Sequence, residues 1–381
     1  GRATVRPTGA RGALDWRRRM TTPTTPATAS TSDAPRITGS TRLALLMHGH
    51  LRQYTGKMGF GLLRYSPGTV TSVIDADEAG GSLREVAGID SDAPIVADAE
   101  AAAAIGADVL VIAVATSGGV LPAGYRSEIV TALRSGMSLI NGLHGRFAED
   151  PEFAAALQPG AFIWDVRREP EGLVSGTGRA RALSCRRILT VGTDMAIGKM
   201  TASLELDAES RRRGLRSRFV ASGQIGMCIS GDGVPLDAVR VDFASGAIES
   251  LCLRHGADHD VLWVEGQGSA LHPGSTAWIA LLRGSMPTDL VLVHRAGQRH
   301  LDGLPDVAIP PLPEVIDLYE RVAAATTAYP AAKVRAIALN CVHLTAEEAA
   351  DAVRAVQAET GIATADVLRD GPGPLLDALL A

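Results

Sequence analysis

The segment TVGTDMAIGKMT (190–201) sets two glycines, Gly192 and Gly198, around a short loop and places Lys199 directly after the second. It lies between an apolar run that reads as a strand (187–192) and a run that reads as a helix (199–214) closed by Gly214. Glycines let a backbone wrap closely round a phosphate. The loop amides and the positive end of the following helix supply the potential that holds it, and Lys199 adds a point charge. The loop departs from the common pattern in two ways. Five residues separate the glycines instead of four, and Met200 stands where a serine or threonine usually ligates Mg²⁺, with Thr201 one residue late. The spacing therefore predicts a phosphate-bearing ligand held by Gly192, Thr193, Asp194, Gly198, Lys199, Met200 and Thr201, and weakens the case for metal-bound ATP.

Runs around this loop read as the elements that position it. Strand-like runs at 43–48, 69–75, 108–114, 138–142 and 161–165 alternate with helical periodicity at 98–105 and 123–135. A second series of strands, at 187–192, 217–222, 260–266, 289–295 and 334–340, alternates with helices at 199–214, 275–283, 314–327 and 345–361. Thr345 and Glu348 form a capping box for the last helix. Such alternation predicts an α/β chain with two parallel-sheet domains, over 41–180 and 181–381. EPEGLVSGTGRARAL (169–183) reads as a linker or surface connection. Residues 1–40 are basic and then rich in Thr, Ala, Ser and Pro. They are expected to be a disordered, dispensable arm, with no signal-peptide pattern and with Met20 as the natural start.

Composition narrows the function. A chain of 381 residues with 46% hydrophobic and 21% charged residues can bury a large core. Aromatic residues at 4% and a net charge of -5 argue against nucleic acid as partner. No apolar run is long enough to span a membrane. Cys185, Cys228, Cys252 and Cys341 show no CxxC spacing and read as reduced thiols, which predicts a cytoplasmic protein. Of 37 basic residues only Lys57, Lys199 and Lys333 are lysine. Asparagine occurs only at Asn141 and Asn340. Residues that persist against such a bias carry more information than usual.

The spaced form GTDxxxGK resembles dethiobiotin synthetase and its P-loop relatives. VLWVEGQGSALHP (261–273) resembles their strand-end VEGxG, which implies that Glu265 faces the phosphate or metal. AIALNC (336–341) resembles the strand whose asparagine, here Asn340, holds the base. In those relatives an acidic residue in the interval of Asp242 approaches the metal. Asp242 and Glu265 would then form an acidic pair able to hold Mg²⁺ or to take a proton from an amine. A broader resemblance covers about residues 43–375 and rests on GFGLLRYS (59–66), INGLHGRFAEDPEF (140–153), VGTDMAIGKMT (191–201), residues 221–249 and VEGQGSALHPG (264–274). These are similar to a bacterial family long labelled as of unknown function. That family joins an N-terminal Rossmann-like domain to a C-terminal P-loop NTPase-like domain, and it includes D-glutamate N-acetyltransferases that use acetyl-CoA. HGHLRQYTGKMG (48–59) departs from the family's first strand and loop, so a different N-terminal pocket is expected.

The resemblance implies transfer of an acetyl group from acetyl-CoA to the amine of a small acidic amino acid, D-glutamate foremost. CoA carries phosphates that a P-loop can hold without transferring a phosphoryl group, so no metal is required. Amine acylation needs a base, donors for the developing oxyanion and cations for the substrate carboxylates. Glu265, Asp242, His144 and His272 are the candidate bases, and Arg64, Arg146 and Arg295 the candidate carboxylate holders. No histidine is placed to activate Cys228 or Cys341, which favours direct transfer over an acyl-cysteine. The glycine-rich stretch 223–235, with Asp232, reads equally as a loop over the ligand or as ordinary surface. The alternatives are an ATP- and Mg²⁺-dependent ligase or kinase of the dethiobiotin synthetase type, and a nucleotide-binding regulatory module without chemistry. The site is expected between the domains at the strand C-terminal ends, and the apolar helix faces left over predict a homo-oligomer.

Overall fold

Strands that are apolar on both faces need helices on both sides, and parallel pairing follows. The computed structural model describes residues 37–381 and shows this arrangement twice. The first sheet contains β1 (Arg42–Leu46), β2 (Thr69–Ile74), β3 (Ile95–Val96), β4 (Val109–Ile112), β5 (Ser138–Asn141) and β6 (Ile163–Asp165). Their order is β3-β2-β1-β4-β5-β6 with every neighbour parallel, the doubly wound arrangement. The second sheet is built from β7 (Arg186–Gly192), β8 (Ser217–Val220), β9 (Val261–Val264) and β10 (Asp289–Arg295). A short antiparallel hairpin, β11 (His300–Leu301) and β12 (Leu304–Ala308), interrupts the series before β13 (Lys333–Asn340) and β14 (Ala363–Ala365). The order is β14-β13-β10-β7-β9-β8, again parallel throughout. Strand β7 is central, and the chain turns from one side of it to the other, which opens a crevice at its C-terminal end.

Most predicted elements are present, and the differences have local causes. The capping box forms: Glu348 N donates to Thr345 Oγ1 at 3.3 Å and Thr345 N to Glu348 Oε2 at 2.8 Å. Sequence patterning did not reveal the helix Lys57–Tyr65, because Gly59 and Gly61 lower its propensity. Both glycines are required by packing. A Cβ on Gly59 would collide with the Met47 sulfur, and one on Gly61 would lie 2.8 Å from Ile225 Cγ2 and 3.4 Å from Met200 Cε. The helix Lys57–Tyr65 thus rests directly on the phosphate-loop region of the second sheet, with Met58 and Leu62 buried. The core around the first sheet accordingly takes in Leu204, Phe219, Ala221, Met227 and Cys228 from the second.

The stretch 169–183 is docked. Glu249, buried on the helix Val241–Gly256, accepts from Thr177 N and Thr177 Oγ1 at 2.9 Å each and also from Arg179 N. Gly246 lies so close to the Val174 carbonyl that no side chain fits there. The stretch 223–235 is likewise ordered by pairing. It holds the helix Gln224–Ser230, and Asp232 bonds His255 Nε2 at 2.7 Å and Arg254 Nη1 at 2.8 Å, away from any ligand loop. The N-terminal arm, through residue 36, lies outside the described residues, whereas Ile37 is 5% exposed and belongs to the first core. Among the described residues no helix is long and apolar enough to cross a membrane.

Gly61 offers a direct test of the domain contact. Gly→Ala in a helix interior ordinarily stabilises by about 1 kcal/mol. Here the added carbon meets Ile225, so Gly61→Ala should give no gain, and Gly61→Val should cost about 1–3 kcal/mol through overpacking. Chemical denaturation of the two variants measures this; a more stable Gly61→Ala protein contradicts the packing account.

Candidate functional site

Strand β7 delivers the chain to Gly192, and the next six residues form the loop ahead of the helix Lys199–Arg212. Gly198 caps that helix at φ 113°, a conformation open only to glycine, and Ala196 is held at φ 55°. Strain of this kind persists where surrounding bonds enforce it. Thr193 Oγ1 bonds His294 Nδ1 at 2.9 Å. The Asp194 carboxylate accepts from Met195 N at 2.7 Å, Gln298 Nε2 at 2.6 Å and Asp302 N at 2.7 Å. Asn340 Nδ2 donates to the Ile197 carbonyl at 2.9 Å, and Tyr319 OH donates to the Gly192 carbonyl at 2.8 Å. Thr193 and Asp194 are fully buried by these bonds, so they brace the loop and their side chains are committed to it. Among the described residues the amides of Ala196, Ile197, Gly198, Lys199, Met200 and Thr201 have no acceptor. Six consecutive free N–H groups at a helix N-terminus form an anion nest.

Lys199 is 5% exposed, and its Nζ donates to the Asp194 carbonyl at 2.7 Å. Burial pushes its pKa down to about 8, partly offset by Asp194 and Glu265. Glu265 follows β9 and is 3% exposed. Its Oε2 accepts from Ser222 N at 2.8 Å and Gly223 N at 3.2 Å, and its Oε1 from Gln267 Nε2 at 3.1 Å. Burial nevertheless raises its pKa to about 7, against the pull of those donors and of Lys199. A carboxylate balanced near neutrality beside a phosphate loop is equipped for proton transfer.

Both residues line a cleft of about 500 Å³ between the two sheets' domains. One wall is Ala196 and Gly198 to Thr201; the other comes from the helix Lys57–Tyr65 and its approach, with Tyr54, Lys57 and Arg64. An apolar pocket of about 240 Å³ adjoins it through Gly198, Thr201 and Val342 and is lined by Asn340, Leu368 and Arg369. On the other side, a cavity of about 660 Å³ shares Gly223, Gln224, Gln267 and Gly268 with the cleft.

The structure brings together only part of the predicted set. Glu265, Lys199, Gly198, Met200, Thr201 and Arg64 share the cleft, and Asn340 lies in the adjoining pocket. Gly192 closes β7 beneath the loop, where a side chain would reach Lys199 Nζ. Asp242 does not join Glu265. It is exposed on the first turn of the helix Val241–Gly256, which supports the helix dipole and leaves the acidic pair unformed. His144 is exposed at the end of β5, with Nε2 against Arg167 Nη1. Arg146 is exposed and pairs with Glu149 at 3.2 Å. Arg295 ends β10, close enough for its charge to act on Tyr54. His272 Nδ1 accepts from Gly274 N at 3.0 Å and closes its own turn. All four cysteines are free and buried, and burial raises Cys228 to about 12 and Cys341 to about 11, where a thiolate nucleophile is unavailable. Sequence reasoning missed Lys57, Gln224 and Gln267 as lining residues. The scarcity of lysine was a usable signal for the first, and nothing marked the glutamines.

Known families place the chain. The P-loop domain described as a domain of unknown function (DUF1611_C) matches residues 174–376, and the Rossmann-like domain DUF1611_N matches residues 76–169. A Tritonibacter scottomollicae protein named D-glutamate N-acetyltransferase is 40% identical over 284 residues, 74% of this chain and 84% of its own. A Pseudoalteromonas protein of the same name is 35% identical over 273 residues, 71% of this chain and 80% of its own. The crystal structure of a DUF1611 family protein from Anabaena variabilis has 53% identity and a TM-score of 0.87, covering 90% of this chain and 99% of that one. The two sheets are therefore a Rossmann-like domain and a P-loop domain, and the chain belongs to the DUF1611 family.

Proposed function

We propose that the protein transfers the acetyl group of acetyl-CoA to the amine of D-glutamate. The observation that carries this reading is the row of three adjoining cavities along the phosphate loop. An apolar pocket, an anion nest and a larger, mostly apolar cavity follow one another in the order of the base, phosphates and thioester arm of an acyl-CoA. The free amides from Ala196 to Thr201 suit phosphate oxygens, and Lys199 adds charge. The names of the Tritonibacter and Pseudoalteromonas relatives support the same reading.

The chemistry asks for one proton acceptor in the cleft. The substrate enters as an ammonium ion and loses a proton to the Glu265 carboxylate. The freed amine nitrogen then bonds to the thioester carbonyl carbon, and the C–S bond breaks as the nitrogen sheds its second proton to the departing sulfur. CoA leaves as the thiol, and Glu265 returns the first proton to solvent. Water exclusion around Glu265 keeps its pKa near that needed for neutral pH. Gln224 and Gln267 line both the cleft and the larger cavity and supply neutral donors along the path.

Four outcomes are expected. Lys199→Ala should weaken acetyl-CoA binding roughly 10–100-fold, the value of one charge-assisted bond, with the fold retained; calorimetric titration measures it. Glu265→Gln should lower thiol release by about 10²–10⁴-fold and leave acetyl-CoA affinity intact. The pH profile has a definite sign: kcat/KM should rise as Glu265 ionises through about 7 and fall as Lys199 loses its charge above about 8. Thiol release from acetyl-CoA and D-glutamate should persist in EDTA, since aminolysis of a thioester needs no metal. No thiol release with any amino acid, together with Mg²⁺-dependent ADP formation from ATP, would replace this reading with the ligase.

A further inference from the structure

Each of the three lysines has a different setting. Lys199 is bound into the phosphate loop, and Lys333 pairs with Glu320 at the surface. Lys57 is half-buried in the cleft wall and has no carboxylate partner among the described residues. Its neighbours are the Tyr54 ring, 4.9 Å from Nζ, and the charge of Arg167. Arg167 is itself largely enclosed, at 12% side-chain exposure. Its Nε has no hydrogen-bond acceptor, although Asp237 Oδ2 lies 3.3 Å away, and its Nη1 is set against His144. Two cations are thus held near one another at reduced solvation with too little negative charge to balance them. Arg64 adds a third on the same wall, and among the described residues Glu265 is the only acid lining the cleft. Arrangements of this kind are stable when an anion completes them.

We infer that Lys57, with Arg167 behind it, seats a carboxylate of the amino-acid acceptor and so selects the acidic substrate class. This assignment rests on the acetyl-transfer reading for the identity of the ligand. The phosphate nest belongs to the P-loop domain, whereas Lys57 comes from the other domain. The two walls therefore divide the anionic groups between them, phosphates on one and carboxylate on the other. Burial and Arg167 hold the Lys57 pKa below that of an ordinary lysine, as expected where a negative ligand restores the charged form. A carboxylate bound there leaves the substrate's amine inside the cleft that also contains Glu265.

The test is calorimetric titration of the full chain with glutarate, D-glutamate and acetyl-CoA. Glutarate is a dicarboxylate without an amine, so its binding reports the seat and not the reaction. Lys57→Gln should weaken glutarate and D-glutamate roughly 10–100-fold and leave acetyl-CoA affinity unchanged. Lys57→Arg keeps the charge and should retain most of the glutarate affinity, which separates a seat from a proton-transfer role. Glutarate binding that is unchanged in Lys57→Gln, or absent in the unaltered protein, overturns the assignment. So does a loss that falls on acetyl-CoA, which would make Lys57 a phosphate ligand. Thiol release from D-glutamate that continues with unchanged KM in Lys57→Gln removes the seat and preserves the acetyl-transfer reading. Glutarate binding that depends on Lys57 in a protein inactive toward every amino acid preserves the seat and removes that reading.

Discussion

A lysine ammonium and a glutamate carboxylate, each almost closed off from water, share one cleft without forming a direct pair. Burying either charge is unfavourable unless the surroundings supply dipoles in return. That requirement explains much of the second domain. Lys199 is answered by the Asp194 carbonyl, and Glu265 by two backbone amides that follow β8. The carbonyl and the amides must stay where they are, so the loop that carries Asp194 is tied down by residues after β10, by β13 and by Tyr319. Gly266 brings the end of β9 against the Thr190 carbonyl, and its own amide donates to Thr190 Oγ1 at 2.9 Å. Five strand ends and one helix thus converge on the geometry of two charges.

The first domain takes part in that geometry through Met200. In a metal-dependent phosphate loop this position offers a hydroxyl. Here its thioether packs partly buried against the first core and faces the bare backbone of Gly61. Methionine is well suited to an irregular gap between two elements. One residue therefore removes a metal ligand and helps join the domains. The cleft has a fixed far wall for the same reason, since the helix Lys57–Tyr65 cannot withdraw without exposing Met58 and Leu62.

The sequence carries the fold more openly than the site. Apolar runs such as DVLVIAV and DVLWVEG announce buried parallel strands, and the capping box at Thr345 marks its helix start within a residue. The two-residue β3, the three-residue β14 and the hairpin β11–β12 are too short for periodicity to register. In the site, Lys199 and Glu265 are legible because strand–loop–helix spacing and a strand-end acid are local patterns. Asp242 is misleading for the opposite reason. Its place in a relative order along the chain says nothing of which way the first turn of its helix faces. Thr193 and Asp194 lie in the right loop, but their side chains turn inward, a choice decided by His294, Gln298 and Asp302 a hundred residues away. Lys57 shows the same limit: the Arg167 charge that faces it follows β6, and only the rarity of lysine marks it.

The core beneath the first sheet ends with Met227 and Cys228, although the sheet's last strand is complete at Asp165. During synthesis the N-terminal sheet therefore leaves the ribosome with one apolar flank still open. The residues that close it follow roughly 60 positions later, on the order of 3–12 s at translation rates of ~5–20 residues per second. For that interval the helix Lys57–Tyr65 lacks Met200 and Ile225, which close on it at Gly61 in the finished protein. Completion of the first core therefore waits on synthesis of the helix Gln224–Ser230, and slow codons placed between β6 and that helix would lengthen the wait.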